Sequence, residues 1–331
     1  MRALRLEAID RVVVGDAPDP HPLPGEALVA IRAAALNHRD VWIKKGQYAG
    51  VRFPCIPGSD GAGVVTAAGD AAGAAWIGRE VVINPAFNWG PSDRAQSPEF
   101  SILGLPHDGT LAGLVAVPVV QLEARPAHLS WEEAAALPLA GLTAWRALFE
   151  RGGLRAGERV LVTGIGGGVA LMALQLASAF GAEAWVTSGS QEKIDRAVGL
   201  GARGGFLYSR EGWAAGALKA GGPFDVIVDS AGGEGFGDLI DLAAPGGRIV
   251  FYGATLGNPS GLALRKVFWR QISLLGTTMG SPADWGALQA FVTLHRIRPV
   301  VSATFDLEHG ADAFALMEKG GQFGKIVVRV G

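Results

Sequence analysis

At 331 residues the chain exceeds the roughly 250–300 residues that one hydrophobic core ordinarily supports, so two domains are expected. Hydrophobic residues make up 49%, and 29 basic against 31 acidic residues leave a formal net charge of −2, which gives no electrostatic reason to expect nucleic acid or an anionic membrane as partner. Cys55 is the only cysteine, which rules out an intrachain disulfide and a cysteine-rich zinc cage.

The start carries Glu7 and Asp10 and has no apolar run of signal-peptide type, so a cytoplasmic location is the expectation. The first third reads as β-rich. Strands are predicted over residues 11–14, 27–31, 61–66 and 80–84, divided by Gly, Pro and Asp turns. Residues 84–108 form a polar, Pro-containing loop region, and Leu114–Pro118 resumes the strand pattern. At Ser130 the pattern changes: Ser as N-cap followed by Glu132 and Glu133 is a helix start. From there strands (159–162, 183–187, 225–229, 248–252) are separated by helix-length segments (170–180, 191–200), the mark of βαβ units and a parallel sheet. A last strand is predicted over Lys325–Arg329. The uncharged stretch 160–182 is long enough to suggest a membrane helix, but Gly164, Gly166, Gly167 and Gly168 split it into strand, turn and buried helix.

That turn is the strongest chemical signal. A pyrophosphate sits well against a helix N-terminus, where backbone N–H groups point outward and the dipole is positive, and side chains there would hold it away. Gly167 and Gly168 allow the approach, and the small Ala170 lets helix and strand pack closely. With Val169 at the next position the fit is G-x-x-G-x-x-A across Gly164, Gly167 and Ala170, not the strict dinucleotide fingerprint; a purely structural turn is the alternative. The following strand end separates the cofactors. An NAD site places Asp or Glu there for the ribose 2′-hydroxyl. Here Thr187, Ser188, Gly189 and Ser190 are followed by Lys193, hydroxyls and an ammonium that suit a 2′-phosphate, so NADP(H) is the expected cofactor. The competing reading is that Ser190 and Lys193 merely open a solvated helix, with Glu192 in its first turn.

Together these residues resemble the medium-chain dehydrogenase/reductase superfamily, in its zinc-independent quinone oxidoreductase-like branch. The resemblance spans the chain. It rests on Asn37–Asp40 (NHRD), Pro57–Val65 (PGSDGAGVV), Asp108–Ala112 (DGTLA), Ala134–Pro138 (AAALP), Gly141–Ala144 (GLTA), the Gly164–Ala170 turn, Asp229–Gly233 (DSAGG) and Phe323–Val328 (FGKIVV). It implies an α/β protein: a GroES-like β-rich catalytic domain over residues 1–122, a Rossmann doubly wound parallel-sheet domain over 123–297, and a return to the catalytic domain over 298–331, with the active site in the cleft between domains. By matching position it puts Asn37 and Thr143 near the nicotinamide. Ser188, Lys193 and Tyr208 would surround the 2′-phosphate. Ser230, Ala231, Gly253, Ala254, Thr277, Thr278 and Met279 would line the rest of the groove, with Phe323 and Lys325 closing it. Zinc-dependent members carry Cys, His and Cys where this chain has Asn37, Ser59 and Leu139, and residues 84–108 lack the four cysteines of their structural zinc lobe, so no metal is expected. His38, Asp40 and Asp60 are the remaining polar candidates nearby.

Without zinc the plausible chemistry shifts. Oxidation of a simple alcohol gains from a Lewis acid, whereas a conjugated acceptor spreads the arriving charge onto oxygen, where hydrogen-bond donors can hold it. Asn37 offers an amide N–H and Tyr48 a hydroxyl. Trp42 and Trp89, with Asp40 and Asp60, suit the surroundings of a flat substrate, although all four also have structural readings. The expected activity is NADPH-dependent reduction of a quinone or an α,β-unsaturated carbonyl. Reduction of a simple aldehyde or ketone, and a non-catalytic NADPH-binding sensor or scaffold, are the alternatives. An apolar edge strand over residues 271–276 predicts a homodimer. A charge-assisted contact to the phosphate contributes about 1.5–3 kcal/mol, so Lys193→Ala is expected to weaken NADPH binding and leave NADH nearly unchanged by fluorescence titration; equal losses for both refute the assignment.

Overall fold

Alternation of buried and exposed side chains, the signature of a half-buried strand, runs through the first third of the chain. The computed structural model describes residues 1–331. In chain order it opens with β1 (Arg2–Ala8) and β2 (Arg11–Asp16), an antiparallel hairpin turning at Asp10, and β3 (Glu26–Ala35). Then come α1 (His38–Lys44), β4 (Asp60–Ala68), the short α2 (Ala71–Ala74), β5 (Glu80–Ile83), β6 (Ala86–Phe87), β7 (Ser101–Ile102), β8 (Leu114–Pro118) and β9 (Leu122–Ala124). Helix α3 (Trp131–Ala136) begins with the reciprocal cap legible in the sequence: Glu133 N–H donates to Ser130 Oγ at 3.2 Å, and Ser130 N–H donates to Glu133 Oε2 at 2.9 Å.

Helix α4 (Pro138–Trp145) runs into a wide π turn, Arg146–Arg151. Alternating elements follow: β10 (Arg159–Val162), α5 (Gly168–Ala179), β11 (Glu183–Ser188), α6 (Gln191–Gly199), β12 (Gly204–Leu207), α7 (Trp213–Gly221), β13 (Phe224–Asp229), α8 (Phe236–Leu242), β14 (Ala243–Phe251), α9 (Leu264–Trp269) and β15 (Ser273–Gly276). The chain closes with α10 (Pro282–His295), β16 (Val301–Asp306), α11 (Gly310–Lys319) and β17 (Lys325–Arg329).

Two units result, Met1–Ala140 with Ser281–Gly331, and Gly141–Gly280. The family resemblance implies crossings at 122/123 and 297/298. The structure groups residues up to 140 with the first unit, because α3 packs on β3, β4 and β17. The first unit's main sheet runs β16-β17-β3-β4-β5-β9, with β8 also paired to β3. Leu4, Leu6, Val29, Ile31, Ile83, Leu111 and Phe314 are among its core residues, and full burial of each such side chain contributes roughly 1.5–3 kcal/mol. Register matters more than core here. Ala35 of β3 stands between Val327 of β17 and Asp60 of β4. Both neighbouring strands are antiparallel to β3, so Asn37, Asp60 and Lys325 are gathered at one end of the sheet.

The second unit carries a six-stranded parallel sheet in the order β12-β11-β10-β13-β14-β15. Counted from its own first strand this is 3-2-1-4-5-6, the doubly wound order, which reverses between β10 and β13. Ligands of such sheets bind beyond the strands' carboxyl ends at that reversal. The apolar stretch 160–182 resolves into β10, a turn and α5, and no helix is long and apolar enough to cross a membrane.

Candidate active site

In the second unit the chemistry gathers at the carboxyl end of β10. Gly164 (φ +62°) and Gly166 (φ +131°) adopt backbone conformations that L side chains rarely enter, and the chain then turns into α5 with Gly167 at its N-cap. A Cβ added at Gly164 or Gly167 would meet no atom within 4 Å, so the front of the turn is open. The turn is tied from behind. Gly164 N–H donates to Thr187 Oγ1 (3.1 Å) and Ile165 N–H to the Thr187 carbonyl (2.8 Å), while Thr163 Oγ1 bonds Asp229 Oδ1 at 2.5 Å. Asp229 Oδ2 also accepts from Gly232 N–H at 2.9 Å, which fixes the next loop. An open, positively polarised helix start held in this way fits a pyrophosphate.

Beyond β11, Ser188 Oγ accepts from Ser190 N–H (3.1 Å), and Ser190 caps α6 by accepting from Lys193 N–H (3.4 Å). Tyr208 is 51% exposed and crosses over Gly189, where a Cβ would stand 3.0 Å from its hydroxyl oxygen. The strand end thus presents hydroxyls, a half-buried lysine and an aromatic ring, with the exposed Glu192 in the first turn of α6. Further along, Ser230 is hydrogen-bonded to the Tyr252 hydroxyl, and burial pushes that phenol up to about 12. Thr143 is buried, its Oγ1 lying 3.9 Å from Sδ of Met279, which itself holds a left-handed φ of +42°. Thr277 Oγ1 is buried without a partner.

The first unit holds a dense polar cluster. Asp60 is fully buried, and its carboxylate accepts from Leu139 N–H at 2.7 Å, Asn37 Nδ2 at 2.9 Å and Lys325 Nζ at 2.8 Å. Lys325 Nζ also donates to Asn37 Oδ1 at 2.5 Å. Asp40 takes Asn37 N–H at 2.7 Å and Gly58 N–H at 3.2 Å, so it closes the start of α1 onto the loop before β4. Burial raises its carboxyl above the usual range against the opposing pull of Arg39, the Asn37 N–H and Lys325. Arg39 is buried as well, donating to Ser59 Oγ (2.6 Å) and the Leu103 carbonyl (2.8 Å) with its guanidinium 4.9 Å over the Tyr48 ring. Gly58 is obligatory in this packing: its φ is +104° and a Cβ would lie 2.7 Å from Thr110 Oγ1. His38 is exposed at the edge, yet surrounding protein and then the Lys325 ammonium pull its imidazole below the ordinary value.

Residues 23–127 match the family model of the alcohol dehydrogenase GroES-like domain and residues 168–293 that of zinc-binding dehydrogenases. The zinc-type alcohol dehydrogenase-like protein YogA of Leptosphaeria maculans is 36% identical over 94% of this chain and 92% of its own length. The chain belongs to the medium-chain dehydrogenase/reductase superfamily. Mouse quinone oxidoreductase is another relative, 27% identical over 93% of this chain and 90% of its own length. The crystal structure of an NAD-dependent alcohol dehydrogenase superposes with a TM-score of 0.93 at 39% identity, with full coverage of both chains. The first unit is therefore the superfamily's GroES-like domain and the second its Rossmann domain, as the motifs led one to expect.

Within this superfamily frame, the structure gathers the expected residues into the two sets described. Gly164, Gly167, Gly168 and Val169 form the turn and first helical residues. Ser188, Ser190, Lys193 and Tyr208 cluster past β11, while Ala231, Gly253, Ala254 and Thr278 are partly or fully exposed in the loops after β13, β14 and β15. Asn37, Asp40, Asp60 and Lys325 fall in one network of the first unit, with Phe323 buried beside it in sequence, its N–H held by Ser302 Oγ at 3.1 Å. Trp42 and Tyr48 are half-buried. Trp89 is buried, with its indole N–H on the Ser92 carbonyl and its ring edge-on to Phe100, as a packing residue would be. Sequence reasoning did not find the Arg39–Ser59 bond, the Thr187 and Asp229 ties or Tyr252. Hydroxyl and carboxylate residues at the ends of β10, β11 and β13 were the available signal for the ties.

Proposed function

We propose that the protein is an NADPH-dependent oxidoreductase that reduces a quinone or an α,β-unsaturated carbonyl without zinc. The observation that carries this reading is the state of the three positions where zinc-dependent members hold their ligands. Asn37 is engaged at both ends of its amide, Ser59 Oγ accepts from Arg39, and Leu139 offers only an alkyl side chain. The Lys325 ammonium lies against Asn37 and Asp60, a cation where a dication would need electron pairs. No group of three or more His, Cys, Asp or Glu side chains is arranged to hold a metal. These residues do not fit a catalytic zinc.

They do fit a nicotinamide dinucleotide. The open turn at Gly164, Gly167 and Gly168 and the start of α5 would hold its pyrophosphate, and Ser188, Ser190, Lys193 and Tyr208 a 2′-phosphate. A reduced nicotinamide held there would supply a hydride to the far carbon of a conjugated acceptor, whose π electrons would move onto its oxygen. The remaining N–H of Asn37 would stabilise that oxygen, and Tyr48 or water would supply the proton. Reduction of a simple aldehyde is the second reading, favoured by the likeness to alcohol dehydrogenases.

We also propose a homodimer. β15 is the edge of its sheet, and the neighbouring α9 buries none of its residues, with Phe268 66% and Trp269 80% exposed. An apolar edge of this kind pairs with its copy about a two-fold axis.

An assay of NADPH consumption over quinones, enones and aldehydes tests the main reading: enones or quinones should turn over and simple aldehydes should not. On an enone, Asn37→Ala is expected to lower kcat roughly a hundred- to a thousandfold with NADPH binding retained, and Tyr48→Phe to lower it less. Wild-type kcat in both variants refutes the assignment. Elemental analysis after dialysis should find no stoichiometric zinc; about one tightly held zinc per chain would restore alcohol oxidation. Light scattering at micromolar concentration should give a dimer and Trp269→Glu a monomer; a monomeric wild type refutes the interface.

A further inference from the structure

The buried charges around Asn37 do more than hold the fold together. An asparagine side chain has nearly isosteric donor and acceptor ends, and rotation by half a turn exchanges them. Only one of the two orientations can serve a developing oxyanion. In this site two opposite charges choose between them. Lys325 Nζ stands 2.5 Å from Oδ1, and Asp60 Oδ2 stands 2.9 Å from Nδ2. Half a turn would set the amide N–H groups against the ammonium and the carbonyl against the carboxylate, two repulsive contacts between groups that are each no more than 8% exposed. The same ammonium bonds Asp60 directly at 2.8 Å, so the three side chains close a ring. That ring uses the amide oxygen and one of the two amide protons. What Asn37 has left to offer is one N–H. Lys325 itself is anchored in β17, between β16 and β3, so its stem has little freedom to follow another partner.

We propose that Lys325 is a positioning residue for hydride transfer: with Asp60 it locks the Asn37 amide with its nitrogen, not its oxygen, turned to the acceptor oxygen. This rests on the reading of Asn37 as the donor. It departs from the expectation that Lys325 closes the cofactor groove, since both hydrogen bonds of the ammonium lie inside the first unit. Lys325 then contributes to turnover through Asn37 and little to cofactor affinity.

Lys325→Met alone would bury the Asp60 carboxylate without its cation, and that variant is open to misfolding. The test therefore uses the neutralised pair Lys325→Met with Asp60→Asn, checked for wild-type-like thermal unfolding. It is made in the wild type and in the Asn37→Ala background, and assayed on an enone with NADPH. The neutral pair should lower kcat by about tenfold or more, with NADPH affinity within about threefold of wild type by fluorescence titration. In the Asn37→Ala background the same pair should cost less than about threefold further, because the residue it orients is already gone. Losses that multiply overturn the proposal and give Lys325 a role of its own. An NADPH affinity that falls in step with kcat overturns it in favour of a cofactor contact. A neutral pair with wild-type kcat beside a slow Asn37→Ala variant overturns the lock alone. Wild-type kcat in Asn37→Ala overturns the parent reading and the lock together.

Discussion

The Asp60 carboxylate is the constraint around which the GroES-like half of the molecule is arranged. A buried carboxylate is costly unless its charge and lone pairs are met. Asp60 meets that requirement with three donors from three separate stretches of chain: the Leu139 backbone, the Asn37 amide and the Lys325 ammonium. Each donor fixes something different. Leu139 sets the entry into α4, Asn37 the start of α1, and Lys325 the first residue of β17. The register of β3 with β4 and β17 makes the meeting possible, and the meeting in turn penalises any slip of register, since a shift by one residue would send these side chains to opposite faces.

Acidic and basic side chains are matched in number in this cluster, Asp40 and Asp60 with Arg39 and Lys325, and Lys325 pairs directly with Asp60. Such pairing lowers the cost of keeping ions out of water. It leaves the local field to be shaped by hydrogen-bond direction, with Arg39 turned to a hydroxyl and a carbonyl and Asp40 to backbone N–H groups. In the Rossmann unit the equivalent task falls to neutral groups. Thr187 and the Thr163–Asp229 pair brace a glycine turn whose outer surface stays open.

What the sequence discloses divides along the same line. The Ser130 cap, the strands Leu114–Pro118 and Lys325–Arg329, and the strand–turn–helix around Gly164 were legible because each is written in adjacent residues. β12 was not, since Gly204 and Gly205 leave it no alternating pattern, and α10 and α11 mix buried and exposed residues without a strong apolar stripe. The meeting of Lys325 with Asn37 and Asp60 was not legible because those partners lie in distant parts of the chain; periodicity reports which face a residue takes, and only sheet register says whom it meets. Arg39 shows the same limit. Its neighbour in sequence is Asp40, but the groups that hold its guanidinium are Ser59 and the carbonyls near residue 103.

The GroES-like unit is discontinuous, and that has a bearing on how the protein is made. Lys325 and Asn37 are 288 positions apart, so a chain growing from the ribosome exposes Asn37 and Asp60 long before their ammonium partner exists. The Rossmann unit is one uninterrupted segment and has all its strands in hand once Gly280 has emerged. Contacts of such long sequence separation are slow to form. The order of synthesis therefore favours a Rossmann half that is complete first, with β3 and β4 waiting as unfinished sheet until β17 arrives to fill the open edge.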